Sequence, residues 1–355
     1  MKKIETAFYP PLPVQPRLQF LRSITGEEDM GKKEQGAFER FLSGERPPSL
    51  KRIGRSYDIG AVKGRIYISD RYFKRILIID LEKNEFDYIK DKEGWGALAD
   101  PSGIWVTEDD MKYVADMKRK QVVVFGRDNK FLRSYGKKGQ FDKPLDVAVY
   151  KNRVYVCDVN KHMIIVVDKN TGKTIQKIGG IGDEEGKLFK PTHVKVDLEG
   201  NIYVNDNSNF RIQMFDPKGN FVKTFGFHSD TLGGFARPKG LDIDRDGHLY
   251  AVDIAFENVQ IFDDKTTNLL LFFGGFGPEP GSMYLPNSVY IDYKNVKYFQ
   301  KYADKDFKVK YLVYVGNMLG DNKLNVYGFG NWTGTQLPEM EENKFEKTGG
   351  QEKSK

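Results

Sequence analysis

One tetrapeptide pattern, a tyrosine, an apolar residue, any residue and an aspartate, recurs along this chain. YISD ends at Asp70, YVAD at Asp116, YVCD at Asp158, YVND at Asp206 and YAVD at Asp253, and a sixth copy, YVGN, ends at Asn317. Units of about 40 to 50 residues cannot bury their own apolar faces and must stack on neighbours. The repeat therefore overrides the prior that 355 residues make two ordinary domains. Pro101, Pro144, Pro191, Pro238 and Pro286 keep the same phase, and an aromatic stands just before four of them: Phe141, Phe189, Phe235 and Tyr284. The first unit has Ser56 in place of the proline, yet DIGAVKGRIYISD matches DVAVYKNRVYVCD in length.

Each unit reads as four strands. In residues 192–226 the period-two runs THVKV, NIYVND, RIQMF and FVKTF are separated by LEG, NSN and DPKG, which is turn chemistry. The expected fold is all-β, a six-bladed β-propeller of four-stranded blades. Such a ring must close, but the sixth unit supplies only YLVYVGN and KLNVYGFG after its inner strand, and the tail beyond is polar. FLRSITG, residues 20–26, has the pattern of FLRSYG at 131–136, a fourth strand. The amino end is thus expected to complete the last blade and cover its open edge. A second register, aligning RLQFL at 17–21 with RIQMF at 211–215, would make it a third strand instead.

This divides the chain into a proline-rich strap (1–16), a closing strand (17–26), an insertion (27–55), the propeller (56–330, with an insertion at 292–311) and a polar, disordered tail (331–355). Within the first insertion, GKKEQGAFERFLSG fits a short helix: Phe38, Phe41 and Leu42 share a face and Gly44 ends it. The second carries Tyr293, Tyr298, Phe299, Tyr302 and Phe307 among lysines. It reads equally as a distinctive contact or as a hairpin packed on its own blade.

Composition narrows function. Cys157, the single cysteine, excludes an intrachain disulfide, a cysteine zinc site and a covalent c-type haem, and reads as a buried strand residue. No run of about 18 apolar residues exists to span a bilayer. The net charge of +6 permits an acidic partner without demanding one. Asp244 and Asp246 in DIDRDGH form a hairpin turn rather than a calcium loop, and the glycine-rich stretches precede strands, so they offer no helix terminus to phosphate. No motif calls for a cofactor or metal, and no catalytic residue is assigned.

GKLFKPTHVKVDLEGNIYVNDNSNFRIQMFDPKGNFVKTFG, residues 186–226, resembles the NHL-repeat family of six-bladed propellers, in the stand-alone bacterial form, and the resemblance extends over about residues 56–330. In that family the repeat aspartate often meets an arginine five residues on. Asp70 with Arg75 and Asp206 with Arg211 keep this structural pairing, while Gln121, Met163 and Asn258 replace the arginine elsewhere.

Three functions follow from the resemblance. Similarity to peptidyl-hydroxyglycine lyases implies zinc-binding histidines on inner strands, and gluconolactonase-like propellers imply calcium on acidic ligands. The second residue after each repeat proline is Gly103, Asp146, His193, Gly240 or Ser288, with Asp58 equivalent in blade one. Only His193 matches a lyase histidine, since His162, His228 and His248 fall on peripheral loops, so Asp58, Asp146, His193 and Ser288 read as channel-lining residues. A second class is single-stranded RNA binding. Arg71, Lys74, Lys118, Arg119, Lys120 and Lys161, with Tyr72 and Phe210, mark a basic loop face. The third, favoured reading is a non-catalytic scaffold whose loop face and channel mouth hold a protein partner, the propeller itself being a monomer. MKKIETAFYPP lacks an apolar signal core and by itself implies the cytoplasm. The family resemblance instead implies an exported mature form, associated with the cell envelope or electron transfer.

Overall fold

The protein is described by a computed structural model over residues 7–31, 51–90 and 94–337. Blade four shows how the sequence makes the repeat. His193–Val196, Ile202–Asp206, Arg211–Phe215 and Phe221–Phe225 pair antiparallel in succession. In the first hairpin the Asp197 carboxylate accepts the backbone N–H groups of Glu199, Gly200 and Asn201 at 2.8–2.9 Å, which fixes the turn. Blades one, two, three and five repeat this plan from inner strands Ser56–Val62, Pro101–Val106, Pro144–Tyr150 and Pro238–Ile243.

The core is divided among the blade interfaces. Alternation leaves each sheet apolar on both faces, so every pair of neighbouring blades encloses its own cluster. Val147 and Val154 of blade three meet Tyr113 and Val124 of blade two, for example, and Leu241 and Leu249 of blade five meet Tyr203 and Ile212 of blade four. The repeat tyrosines Tyr67, Tyr113, Tyr155, Tyr203, Tyr250 and Tyr314 are all buried in these interfaces. The repeat aspartates set the loops. Asp70 accepts backbone N–H groups from Gly54 (2.8 Å), Arg55 (3.0 Å), Tyr72 (3.0 Å) and Phe73 (3.2 Å), tying the approach to the inner strand to the loop after the second strand. Asp116, Asp158 and Asp253 do the same in their blades.

Blade six closes the ring with both ends of the chain. Pro286–Asp292, Phe307–Asn317 and Leu324–Trp332 supply three strands, and Leu18–Ile24 is the fourth, in the register Leu18↔Phe329, Phe20↔Tyr327 and Ile24↔Leu324. The third-strand register is not adopted. Phe8–Tyr9 of the proline-rich lead adds a short fifth strand outside it. The third strand runs to Trp332 and so takes in the first two residues of the expected polar tail; Trp332 packs against Phe8. The helix expected over 31–44 lies outside the described residues except for Gly31, and so does the tail beyond residue 337.

The insertion at 292–311 staples blade six to blade one. After a helical turn, Val296–Phe299, the chain re-enters a long second strand at Phe307. Asn295 is fully buried: its side-chain oxygen accepts the Gly64 N–H at 2.7 Å, and its amide donates to Val62 O at 2.9 Å and to Asp292 at 2.6 Å. Phe299 enters the cluster shared with Leu81 and Phe86 of blade one, and the Tyr298 hydroxyl donates to Glu82 at 2.8 Å.

Candidate functional site

The six inner strands surround an axis, and the side chains that reach it form layers. Nearest the loop face, Tyr57 of blade one and His193 of blade four, which lie opposite each other in the ring, stack with ring centroids 6.0 Å apart and planes at 13°. Leu145, Met117 and Val159 pack around Tyr57, so this end of the axis is plugged. His193 Nδ1 lies 3.1 Å from Thr192 Oγ1, while its Nε2 is buried without a partner among the described residues. Burial, then the charges of Lys239 and Lys195, hold the imidazole well below its usual pKa and therefore neutral.

Beneath the plug, three carboxylates clamp the blades in pairs. Asp58 accepts the Ile59 N–H at 2.9 Å within blade one and the Ile104 N–H at 2.8 Å in blade two. Asp146 joins Val147 of blade three to Val194 of blade four at 2.8 and 2.9 Å. Asp242 joins Ile243 of blade five to Ile291 of blade six at 3.0 and 2.8 Å. Close approach explains the intervening glycines: a Cβ on Gly103 would lie 2.0 Å from Asp146 Oδ1, and one on Gly240 2.6 Å from the Ser288 backbone. Ser288 is wholly buried behind Gly240, and its hydroxyl has no partner among the described residues. Burial dominates the titration of all three carboxylates. It raises Asp58, pushes Asp146 up to about 8 with help from the charge of Asp58, and pushes Asp242 up to about 6.

The next layer was not singled out in the sequence. Trp105, Lys195 and Tyr290 come from the even blades, at the fourth residue after each repeat proline, and meet on the axis. Lys195 Nζ lies 5.6 Å from the centre of the Trp105 ring and 5.8 Å from that of Tyr290. Burial alone would lower its pKa; Asp58, Asp242 and Asp146 together hold it above the usual value, so it is an ammonium. Asp242 occupies the same phase in blade five. The signal was present: a period-two strand that points its second residue at the axis points its fourth there too.

The residues predicted for the loop face lie on loops at the plugged end, but most are engaged locally. Arg71 pairs with Asp100 at 3.1 Å and Lys120 with Asp142 at 2.6 Å. Arg119 donates to Trp95 O and Gln121, and Lys161 to Gly139 O and Gln140 O. Lys74 and Lys118 make no hydrogen bond or ion pair with described residues. Phe210 stacks on His228 with centroids 4.1 Å apart. Of the two framework pairs, Asp206 and Arg211 meet at 2.9 Å. Asp70 and Arg75 do not: four backbone donors occupy Asp70, and the Arg75 guanidinium turns to Arg52 O at 3.0 Å and to the rings of Phe73 and Tyr88. The same face also exposes large apolar side chains. Tyr72 on a blade-one loop, with Trp95, Ile181, Phe227 and Phe276 on four interblade loops, are 61% to 77% exposed.

The donor sets do not suit a catalytic metal. Zinc requires about three convergent protein ligands, and the axis offers one neutral imidazole stacked on Tyr57. The axial carboxylates face backbone amides. On the opposite face, Asp244, Asp246 and His248 each bring one possible ligand atom within 4.8 Å of the others. Asp244, however, accepts the backbone N–H groups of Asp246 and His248 with one oxygen, and His248 Nδ1 and the Tyr311 hydroxyl, both at 2.7 Å, with the other. That cluster fixes a hairpin.

No protein-family profile matches the chain. It is 32% identical over 109 residues to a probable peptidyl-alpha-hydroxyglycine alpha-amidating lyase, pgal-1, of Caenorhabditis elegans, a match covering 29% of this chain and 31% of that one. It is 40% identical over 80 residues to the E3 ubiquitin-protein ligase TRIM71 of Rattus norvegicus, covering 22% of this chain and 8% of that one. The chain thus spans less than a third of the length of these curated relatives. Among solved structures, a streptogramin B lyase superposes with a TM-score of 0.53 at 14% identity, over 79% of this chain and 85% of that one, which shows the shared propeller fold.

Proposed function

We propose that this NHL-type propeller is a binding module that holds a protein partner on its loop face. The observation that carries this reading is the set of exposed apolar residues, Tyr72 on a loop within blade one and Trp95, Ile181, Phe227 and Phe276 on interblade loops, at one end of the ring. Large apolar side chains exposed on one face of a molecule are a common mark of a protein-binding surface. The neighbouring Arg71, Arg119, Lys120 and Lys161 hold their own loops in place, which stiffens the surface and limits the ordering cost of association. The same engagement disfavours single-stranded RNA, whose phosphates need free cations. Zinc lyase chemistry is disfavoured because His193, stacked on Tyr57, is the one imidazole at the axis among the described residues.

The test is affinity purification of the intact protein from its native cells, with mass and elemental analysis of what co-elutes. A stoichiometric protein is expected, with binding weakened at least about tenfold by the double substitution Phe227→Ser and Phe276→Ser. Lys151→Ser, at the opposite end, serves as a control that leaves binding intact. Co-purification of a tightly held metal with no protein would return the enzyme reading.

A further inference from the structure

At the end of the axis away from the loop face lies a blind cavity of about 370 Å³, whose mouth is ringed by the hairpins between first and second strands. Its floor is Lys195, only 2% exposed. The ammonium makes no hydrogen bond or close ion pair with any described residue; it lies near the Trp105 and Tyr290 rings, and Lys195 lines the cavity. Asp242 lies beside it, and Tyr150 and Tyr293 stand at the rim. The rim rings are fixed: the Tyr150 hydroxyl donates to Leu198 O at 3.2 Å, and the Tyr293 hydroxyl accepts the Arg245 N–H at 3.0 Å.

The charges select the ligand. A cation entering the cavity would face Lys195 at the floor. An anion would face Asp242, with Asp58 below, whose charges already balance the lysine. A neutral ligand escapes both penalties, and to satisfy a buried ammonium it must carry acceptor oxygens. The aromatic walls favour a ligand with flat apolar C–H faces. The volume lies at the small end of the roughly 300–1,000 Å³ usual for small-molecule sites.

We propose that this cavity binds a neutral, hydroxyl-rich ring, a pyranose sugar. Its C–H face lies against Trp105 or Tyr290, an oxygen accepts from the Lys195 ammonium, and a hydroxyl donates to Asp242. Each Asp242 oxygen accepts one backbone N–H and keeps a lone pair for this bond. The site is at the opposite end of the ring from the partner surface proposed above and does not depend on it.

The experiment uses the intact protein with D-glucose, D-galactose, D-mannose, N-acetyl-D-glucosamine and cellobiose, followed by saturation-transfer NMR and tryptophan fluorescence. Citrate and spermidine serve as charged controls. At least one sugar is expected to bind and to perturb tryptophan emission. Lys195→Met is expected to weaken it at least about tenfold by removing a charged donor. Trp105→Leu, which leaves the lysine and aspartates in place, should do the same, and it decides the matter should Lys195→Met fail the circular-dichroism check for folding. Tighter binding of cellobiose than of glucose assigns the site to a glycan end and the reverse to a free sugar; both support the proposal. It is overturned if none of these sugars binds the folded protein, if citrate or spermidine binds in preference, or if sugar binding survives Trp105→Leu.

Discussion

Phe20 of the amino-terminal strand stands directly opposite Tyr327 of blade six, their rings edge to face with centroids 5.5 Å apart. Both are buried, and Phe273 of blade five packs on the same tyrosine at 4.8 Å. The seam of the ring is therefore a piece of core. Phe20→Ala is expected to cost about 3–5 kcal/mol, the usual loss for a buried phenylalanine. Denaturant titration measures it, and removal of residues 1–26 should also produce aggregation on size-exclusion chromatography by baring the edge at Leu324–Trp332. An unchanged midpoint together with a monodisperse truncation would show that the strand does not stabilise the ring.

The carboxylate of Asp146 titrates in the wrong direction for a stabilising charge. Burial, and then Asp58, push it up to about 8, whereas in the unfolded chain it titrates near about 3.9. Between these values the folded protein holds a proton that unfolding releases, so stability falls as pH rises, by up to about 1.4 kcal/mol per pH unit. Asp146→Asn should flatten that slope. Denaturant melts of both proteins at about pH 5 and about pH 8 test this, and equal slopes would count against a protonated Asp146.

Asn295 and Tyr298 belong to the same insertion but should behave differently. Asn295→Ala orphans the Gly64 N–H and the Val62 carbonyl in a buried seam and is expected to cost about 3 kcal/mol. Tyr298→Phe removes only a surface hydroxyl contact to Glu82 and should change stability by less than about 0.5 kcal/mol. Thermal melting separates the two; equal effects would remove the special role given to Asn295.

The Cys157 thiol is fully buried, and burial, followed by the charges of Asp146, Asp158 and Asp206, pushes its pKa well up. Thiolate is the reactive form. The native protein should therefore resist an aromatic disulfide reagent at about pH 8 and release one equivalent of chromophore only on unfolding. Prompt reaction of the folded protein would show that blade three opens locally.

The repeat made the fold readable because its tyrosine, aspartate and proline each answer to a local constraint: burial between blades, capping of a loop, and entry to the inner strand. The same phase brought out Asp58, Asp146, His193 and Ser288 at the axis. It did not bring out Trp105, Lys195 and Tyr290, which are ordinary strand residues until six blades bring them together. Of the exposed apolar loop residues only Tyr72 stands out in the sequence, for a related reason. Trp95 and Phe276 are exposed because glycine-rich loops carry them outward, and hydrophobicity in sequence gives no sign of that. Arg75 shows the limit of pattern matching. Its spacing from Asp70 equals that of Arg211 from Asp206, but the backbone of Gly54 and Arg55 reaches the carboxylate first.

The antiparallel register at the seam has a mechanical consequence. Leu18 lies opposite Phe329 and Ile24 opposite Leu324, so the loop that leads into the first strand and the exit of the last strand lie at the same end of the seam. Tension along the chain would first part Phe8–Tyr9 from Gln19 and Leu18, and would then load the seam one pair at a time from Leu18 and Phe329, in the manner of a zip. The ring is built to be peeled open at the seam between Leu18–Ile24 and Leu324–Trp332.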